Sequence, residues 1–418
     1  MNHGRKYMLM AAVLVFIAAT DTSCAEKTLW DKFIDAGIEA GNQGRYAEAQ
    51  RSLFAAVKEA EKFGPQDPRL AESLSNLAYI YHMQEVDAEA EPLYKRSLQI
   101  YEKTLGPNDP VVAQTLNDLA ELYESQGRFG KAEPLYKRAL QICEKAKVPN
   151  DADVAQSLNT LGVLYLEQIT YADADQKDQR KPPDVDQEKY AEAESLLKRS
   201  LQLYEKTLTP NDTKIATCLD NLAGLYTDQK RYPEAESLFK RSLHIYEKAL
   251  EPNDPNIASS LNNLGELYLE QKRYAEAEPL LKRSLQICEK ALEPNVPNIA
   301  TVLDNLAELY MDQKKYSQAE PLYKRTLQIY ERVSKPNDPD IAISLDNLAE
   351  LYMDQKKYSQ AEPLYKRSLW IYEKALEPND LGVASSLEDY AALLRKTNRK
   401  AEASLLETRA KTIRAKPG

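Results

Sequence analysis

"LDNLAELYMDQKKYSQAEPLYKR" occupies residues 303–325 and returns unchanged at 345–367, 42 residues further on. Within it Leu303, Leu306, Ala307 and Tyr310 stand at i, i+3, i+4 and i+7, which is one face of a helix. Ala319, Leu322, Tyr323, Thr326, Leu327 and Tyr330 mark a second helix, and the polar Gln313-Lys314-Lys315 between them supplies a turn. Pro336-Asn337-Asp338-Pro339 then ends one pair and starts the next. Asp338 can accept free amides as an N-cap, and Pro339 suits the first helical position. Pro107-Asn108-Asp109-Pro110 and Pro252-Asn253-Asp254-Pro255 repeat the device.

The opening Leu recurs at Leu74, Leu116, Leu158, Leu219, Leu261, Leu303, Leu345 and Leu387, with one step of 61 residues among steps of 42. A weaker copy, Phe33 to Ala49 with Gly37, precedes Leu74 and makes nine units. One helix pair cannot bury its own apolar stripe, so neighbouring pairs must cover it. Small residues at the crossing, Ala307 with Ala319 or Gly265 with Ala277, let the helices approach, and Tyr310 fills the space beside them. Pro92, Pro134, Pro279, Pro321 and Pro363 fall early in second helices, where amides lack partners, so their cost should be small.

The pattern Leu303, Leu306, Ala307, Tyr310, Ala319, Tyr323 resembles the tetratricopeptide repeat signature. The 42-residue unit, with "EPLYKRSLQIYEK" and "PNDP", is similar to the repeats of kinesin light chains and related bacterial arrays, over roughly residues 30–410. The resemblance implies an all-α fold, a right-handed solenoid of about nine helix-turn-helix units. The expected divisions are a signal peptide at 1–25, a degenerate first repeat at 26–66, an array at 67–380 and a polar capping repeat at 381–418. The cap has Glu407 where Tyr365 stands one repeat earlier, followed by Arg409, Lys411 and Arg414. The N-terminal coiled coil of kinesin light chains has no counterpart here, so a motor role is not implied.

Of the 418 residues 29% are charged and 43% hydrophobic, with 13 Gly, which suits a foldable, largely helical chain. A net charge of −10 without a basic block argues against nucleic acid as a partner. Arg5 and Lys6 precede the apolar run Met8–Ala19, and Ser23-Cys24-Ala25 offers a cleavage point, so export to the periplasm or beyond is expected. Cys24 leaves open a lipoprotein, in which membrane contact is through an acylated Cys24; Thr22 and Ser23 fit and Asp21 departs from that pattern. An uncleaved anchor is the third alternative. Cys143 and Cys288 stand where other repeats carry Tyr and read as packing residues; with Cys218 they form a scattered, odd set that is no disulfide framework and leaves one pairing open. The nineteen residues "ITYADADQKDQRKPPDVDQ" (169–187) read as a polar loop, with Asp173, Asp175 and Asp178 lacking the Gly and Glu of a calcium site. No phosphate loop, His pair or nucleophile elbow is present, so no catalytic residue, cofactor or metal is expected. His244 replaces Gln residues of other repeats, and His82 takes the slot of Met311 and Met353.

The resemblance implies that first helices line a concave face. There the sequence offers Asn117, Asn159, Asp220, Asn262, Asp304 and Asp346 after the opening Leu, followed by Asn221, Asn263, Asn305 and Asn347. Glu121, Glu266, Glu308 and Glu350 come a turn later, then Met311 and Met353. Carboxamides can clamp a peptide backbone, acids favour a neutral to basic segment, and Met accepts apolar side chains. The expectation is a non-enzymatic scaffold that holds extended peptide segments of a partner protein. The bland alternatives are solvated polar faces and Asn residues that only bridge repeats. A different function would be an accessory subunit of an envelope assembly, docked through convex pairs such as Lys324-Arg325 and Lys366-Arg367, each of which could equally be neutralised by a neighbouring Glu.

Overall fold

The computed structural model describes residues 27–146, 150–175, 183–291 and 297–415. The signal segment, His3 and Cys24 lie outside them. Regular structure among the described residues is helical, and the helices alternate as first and second members of pairs. One compact unit spans 27–168 and 191–208; the other spans 209–415 together with 169–190. The former contains α1 (Leu29–Asn42), α2 (Tyr46–Ala60), α3 (Pro68–Met83), α4 (Asp87–Thr104), α5 (Pro110–Ser125), α6 (Phe129–Lys145) and the body of α7 (Asp151–Asp175) and α8 (Pro183–Thr207). The latter contains α9 (Thr213–Asp228), α10 (Tyr232–Ala249), α11 (Pro255–Glu270), α12 (Tyr274–Ala291), α13 (Pro297–Asp312) and α14 (Tyr316–Val333). It closes with α15 (Pro339–Asp354), α16 (Tyr358–Ala375), α17 (Leu381–Lys396) and α18 (Lys400–Ala415). Within each unit, pairs stack so that a second helix packs against the next first helix. No described helix is long and apolar enough to cross a membrane.

Helix starts follow the sequence. Asp67, Asp109, Asp212, Asp254, Asp338 and Asp380 each accept the backbone N–H two residues on, at 2.7–3.0 Å. The degenerate first repeat is a complete pair, opened by a capping box between Thr28 and Asp31. Its Trp30 indole donates to Ser73 of the next repeat at 2.9 Å.

Three local features were not legible in advance. Each described turn inside a pair has one left-handed residue. Gly44, Gly127 and Asn398 supply it in three turns, but Glu85, Lys230, Lys272, Lys314 and Lys356 do so at φ 57–58°. The next N–H then closes the first helix, Lys315 donating to the Tyr310 carbonyl at 2.7 Å. Second, Pro321 and its four equivalents are the sixth residues of their helices. Helical bonding has begun by Ala319, whose N–H donates to Lys315 O at 3.2 Å, so these prolines remove a real bond instead of an orphan amide. Third, the 169–187 insertion is not a loop at its flanks. Both helices lengthen to 25 residues, α7 through Asp175 and α8 from Pro183, a residue that suits a first helical position. Residues 176–182, with Asp178, and the side chains of Asp173 and Asp175 fall outside the description.

The core is one column of Leu, Ala and Tyr per pair. Leu303, Leu306, Ala307, Tyr310, Ala319 and Tyr323 are all buried. Crossing residues vary together along the chain. Where the first helix has Gly37, Gly162 or Gly265, the second has Leu53, Leu197 or Leu281; where it has Ala78, Ala120, Ala307 or Ala349, the second has Tyr94, Tyr136, Tyr323 or Tyr365. A Cβ on Gly265 would lie 2.8 Å from Leu281 side-chain atoms. A branched Leu therefore claims the space that an Ala methyl fills beside a flat Tyr ring. Cys143, Cys218 and Cys288 are buried free thiols within this packing.

Candidate functional site

The second helices carry a regular ion-pair lattice. In each Lys-Arg pair the Lys binds a Glu one turn back, as Lys324 binds Glu320 at 2.7 Å. The Arg reaches the preceding second helix: Arg138 to Glu102, Arg283 to Glu247 and Arg325 to Glu289, at 2.5–2.6 Å. Arg367 binds Glu331, and Arg409 continues the series onto Glu373. Tyr hydroxyls of the following first helices join in, Tyr310 to Glu278 and Tyr352 to Glu320 at 3.0 Å. Arg273 and Lys240 together hold the Glu236 carboxyl down to about 2. The basic pairs on this face are thus engaged inside the array. In the last pair Arg395 binds Glu407 through two bonds, and Arg414 binds Glu388 likewise.

On the first helices the residues singled out by sequence divide into columns of different character. The residue after the opening Leu is half-buried or buried, with one side-chain oxygen shut away. The Oδ1 atoms of Asp220, Asp304 and Asp346, and that of Asn117, are enclosed without a hydrogen-bond partner. Their side chains turn towards the second helix of their own pair, where Ser242, Thr326 and Ser368 lie opposite the three acids. Burial raises those carboxyls to about 7, 7 and 8 respectively. Asn159 and Asn262 at the same position are 4% and 2% exposed. One step on, Asn221, Asn263, Asn305 and Asn347 are half-buried. Asn305 donates to Asn262 at 3.0 Å, so at that point the amides bridge consecutive repeats. Asn263 and Asn347 make no hydrogen bond among the described residues.

The acidic column differs in that none of its carboxyl oxygens is shut away without a partner. Glu266 and Glu308 are half-buried and Glu350 is exposed. Glu308 is held up first by burial, then by Asp312, Glu266 and Glu350. Glu350 is held up by burial, then by Asp354, Asp389 and Asp312. Asp312, Asp354 and Asp389 were missed in the sequence reading, although the i+4 spacing of Glu308 to Asp312 and Glu350 to Asp354 signals them. Met311 and Met353 lie half-buried beside this line.

In the unit that holds α3 to α7, Glu121 is raised by burial, with His82 opposing. His82 does not face outward like Met311. It is 8% exposed, with Nδ1 3.0 Å from Asp87 and Nε2 unpartnered. Glu124, also missed, is pushed up to about 8 by burial and by Glu167, and accepts from the Tyr136 hydroxyl at 2.5 Å. His244 is exposed. No group of three potential metal ligands occurs among the described residues.

No match was found among curated protein sequences. Solved structures give the fold. The quorum sensor NprR of B. thuringiensis aligns at TM-score 0.59 and 14% identity, over 92% of this chain and 97% of that one. RapI aligns at 0.58 and 14%, over 93% and 98%. A putative kinesin light chain of Podospora anserina, with nearly identical TPR-like repeats, is 23% identical over 49% of this chain and 96% of its own, at TM-score 0.45. The tetratricopeptide repeat pattern matches at 36–103, 87–145, 112–176, 185–248, 218–290, 256–332, 298–374 and 340–416. With that pattern running almost from end to end, and helix pairs stacked as it requires, the chain belongs to the tetratricopeptide repeat family.

Proposed function

We propose that the chain is a non-enzymatic interaction scaffold whose first-helix face, between α11 and α17, takes an extended basic segment with apolar side chains from another protein. Arrays of stacked helix pairs offer extended surfaces of this kind. The observation that carries the reading is the pair Glu308 and Glu350. They stand one repeat apart, make no hydrogen bond or ion pair among the described residues, and are crowded by further acids. A lysine or arginine from a partner would relieve that repulsion. Met311 and Met353 would take its apolar neighbours, and the Asn263 and Asn347 amides its backbone. On the second-helix face the basic pair Lys324-Arg325 already has its partners, Glu320 and Glu289.

In-cell crosslinking tests the reading. The partner captured by the wild type should be lost from the variant Glu308→Lys with Glu350→Lys, and equal recovery would defeat it. Asp304 and Asp346 are left out because a lysine at an enclosed position would disturb the fold. Export belongs to the same proposal and is supported by residues 1–25. Fractionation of wild type against Cys24→Ala separates a lipid-anchored chain from a free one.

A further inference from the structure

Three half-buried aspartates of the α9–α18 unit have no role in the peptide reading, and they share one arrangement. Asp220, Asp304 and Asp346 occupy the same repeat position, each with an enclosed, unpartnered Oδ1 and a hydroxyl opposite. For Asp304 the hydroxyl is Thr326 Oγ1, and for Asp346 it is Ser368 Oγ; both of these also lack a partner. A protonated carboxyl there can donate to the hydroxyl or accept from it, whereas an ionised one can only accept, and it places charge on an oxygen that solvent does not reach. At the same position in α11, Asn262 is neutral at every pH, and its oxygen accepts from Asn305.

We propose that these three aspartates are proton-operated clamps, which hold the first and second helices of their pairs together when protonated and loosen them when ionised. This is independent of what the groove binds.

The surroundings favour the neutral form. Asp304 meets Glu308 of its own helix, Tyr323 of α14 and Asp340 of α15, while α11 presents the neutral Asn262. Asp346 meets Glu350 of its own helix, Tyr365 and Tyr372 of α16 and Asp389 of α17. Asp220 meets Ser242 and Tyr246 of α10. The charged groups acting on Asp304 and Asp346 are acids, so each ionisation is opposed by its neighbours as well as by burial.

The direction of the effect follows from linkage. An Asp held above its unfolded value of about 3.9 binds its proton more tightly in the folded state. The stability this represents is complete below the unfolded value and is lost as pH rises through about 7 for Asp220 and Asp304, and about 8 for Asp346. The unit should therefore tighten on mild acidification across neutral pH.

Carboxyl carbon titration by NMR on the full chain tests the first half. Midpoints close to neutrality for the three residues are expected, each assigned by loss of its signal in the matching Asn variant; midpoints near 4 overturn the proposal. Thermal unfolding tests the second. The wild-type midpoint should fall by about 5 °C or more between about pH 5.5 and pH 8.5. The variant Asp220→Asn, Asp304→Asn, Asp346→Asn should lose a clear part of that fall, the rest belonging to Glu72, Asp118 and Glu124 of the other unit, and an undiminished fall overturns the proposal. Asn262 shows that this position accepts an amide. Should the triple variant fail to fold, the carboxyl titration of the wild type and the single variants decides.

Discussion

The pairs α11/α12 and α13/α14 follow one plan but settle their crossings differently. In α11/α12, Gly265 faces Leu281, Asn262 accepts from Asn305, and Ser284 donates to the Ala258 carbonyl at 2.7 Å. In α13/α14 the corresponding residues are Ala307, Tyr323, Asp304 and Thr326, and both the Asp304 Oδ1 and the Thr326 Oγ1 lack partners. The first pair solves its packing and hydrogen bonding in a way that pH does not alter. The second pair carries an acid whose charge, set beside Glu308 and Asp340, depends on a proton. Two pairs whose helices are equal in length can thus differ in what disturbs them.

The strongest way to break the comparison is to exchange packing partners. Gly265→Ala drives a methyl into Leu281 and should cost about 1–3 kcal/mol in denaturant unfolding. Adding Leu281→Tyr should recover most of the loss, because it recreates the Ala307 and Tyr323 combination; no recovery would show that the covariation is accidental. Pro279 and Pro321 are common to both pairs and should respond alike. Replacing either by Ser, the residue that α10 carries as Ser237, should stabilise by about 1–2 kcal/mol, once the entropy lost from the unfolded chain is discounted. Removing a cap, Asp254→Ala or Asp338→Ala, should cost about 1 kcal/mol. The smallest effect belongs to the turns. Lys272→Gly and Lys314→Gly relieve a left-handed lysine and should each gain about 0.5–1 kcal/mol in thermal or urea unfolding. A loss there would show that the lysine side chain contributes more than the backbone strain costs.

These results also mark how far the sequence could be read. The 42-residue period, the Asp-Pro helix starts and the Leu-Ala-Tyr stripe express local rules, and they placed the helices correctly. The error in the groove had one source. Asp304 follows Leu303 by a single 100° step, and judged on its own helix it seemed to point away from the core. The wall that encloses it belongs to α14, and no local periodicity reveals a neighbouring helix. Glu308 and Glu350 lie further round, Glu308 half-buried and Glu350 exposed. The left-handed lysines were hidden for another reason: the signal is Gly44 and Gly127 in aligned turns, and only alignment of the repeats on the turn shows Lys314 standing where Gly is favoured. The prolines were misjudged by two residues, the difference between an orphan amide and a bonded one.

The central claim is that the acidic, Met-flanked face of α11 to α17 holds basic segments. A fluorescence titration with a short extended Lys/Leu peptide tests it, using wild type and the variant Glu308→Lys with Glu350→Lys. The account predicts saturable binding that weakens with salt and falls about tenfold or more in the variant. Equal affinity for both proteins, or equally tight binding of an Asp/Leu peptide, would contradict it.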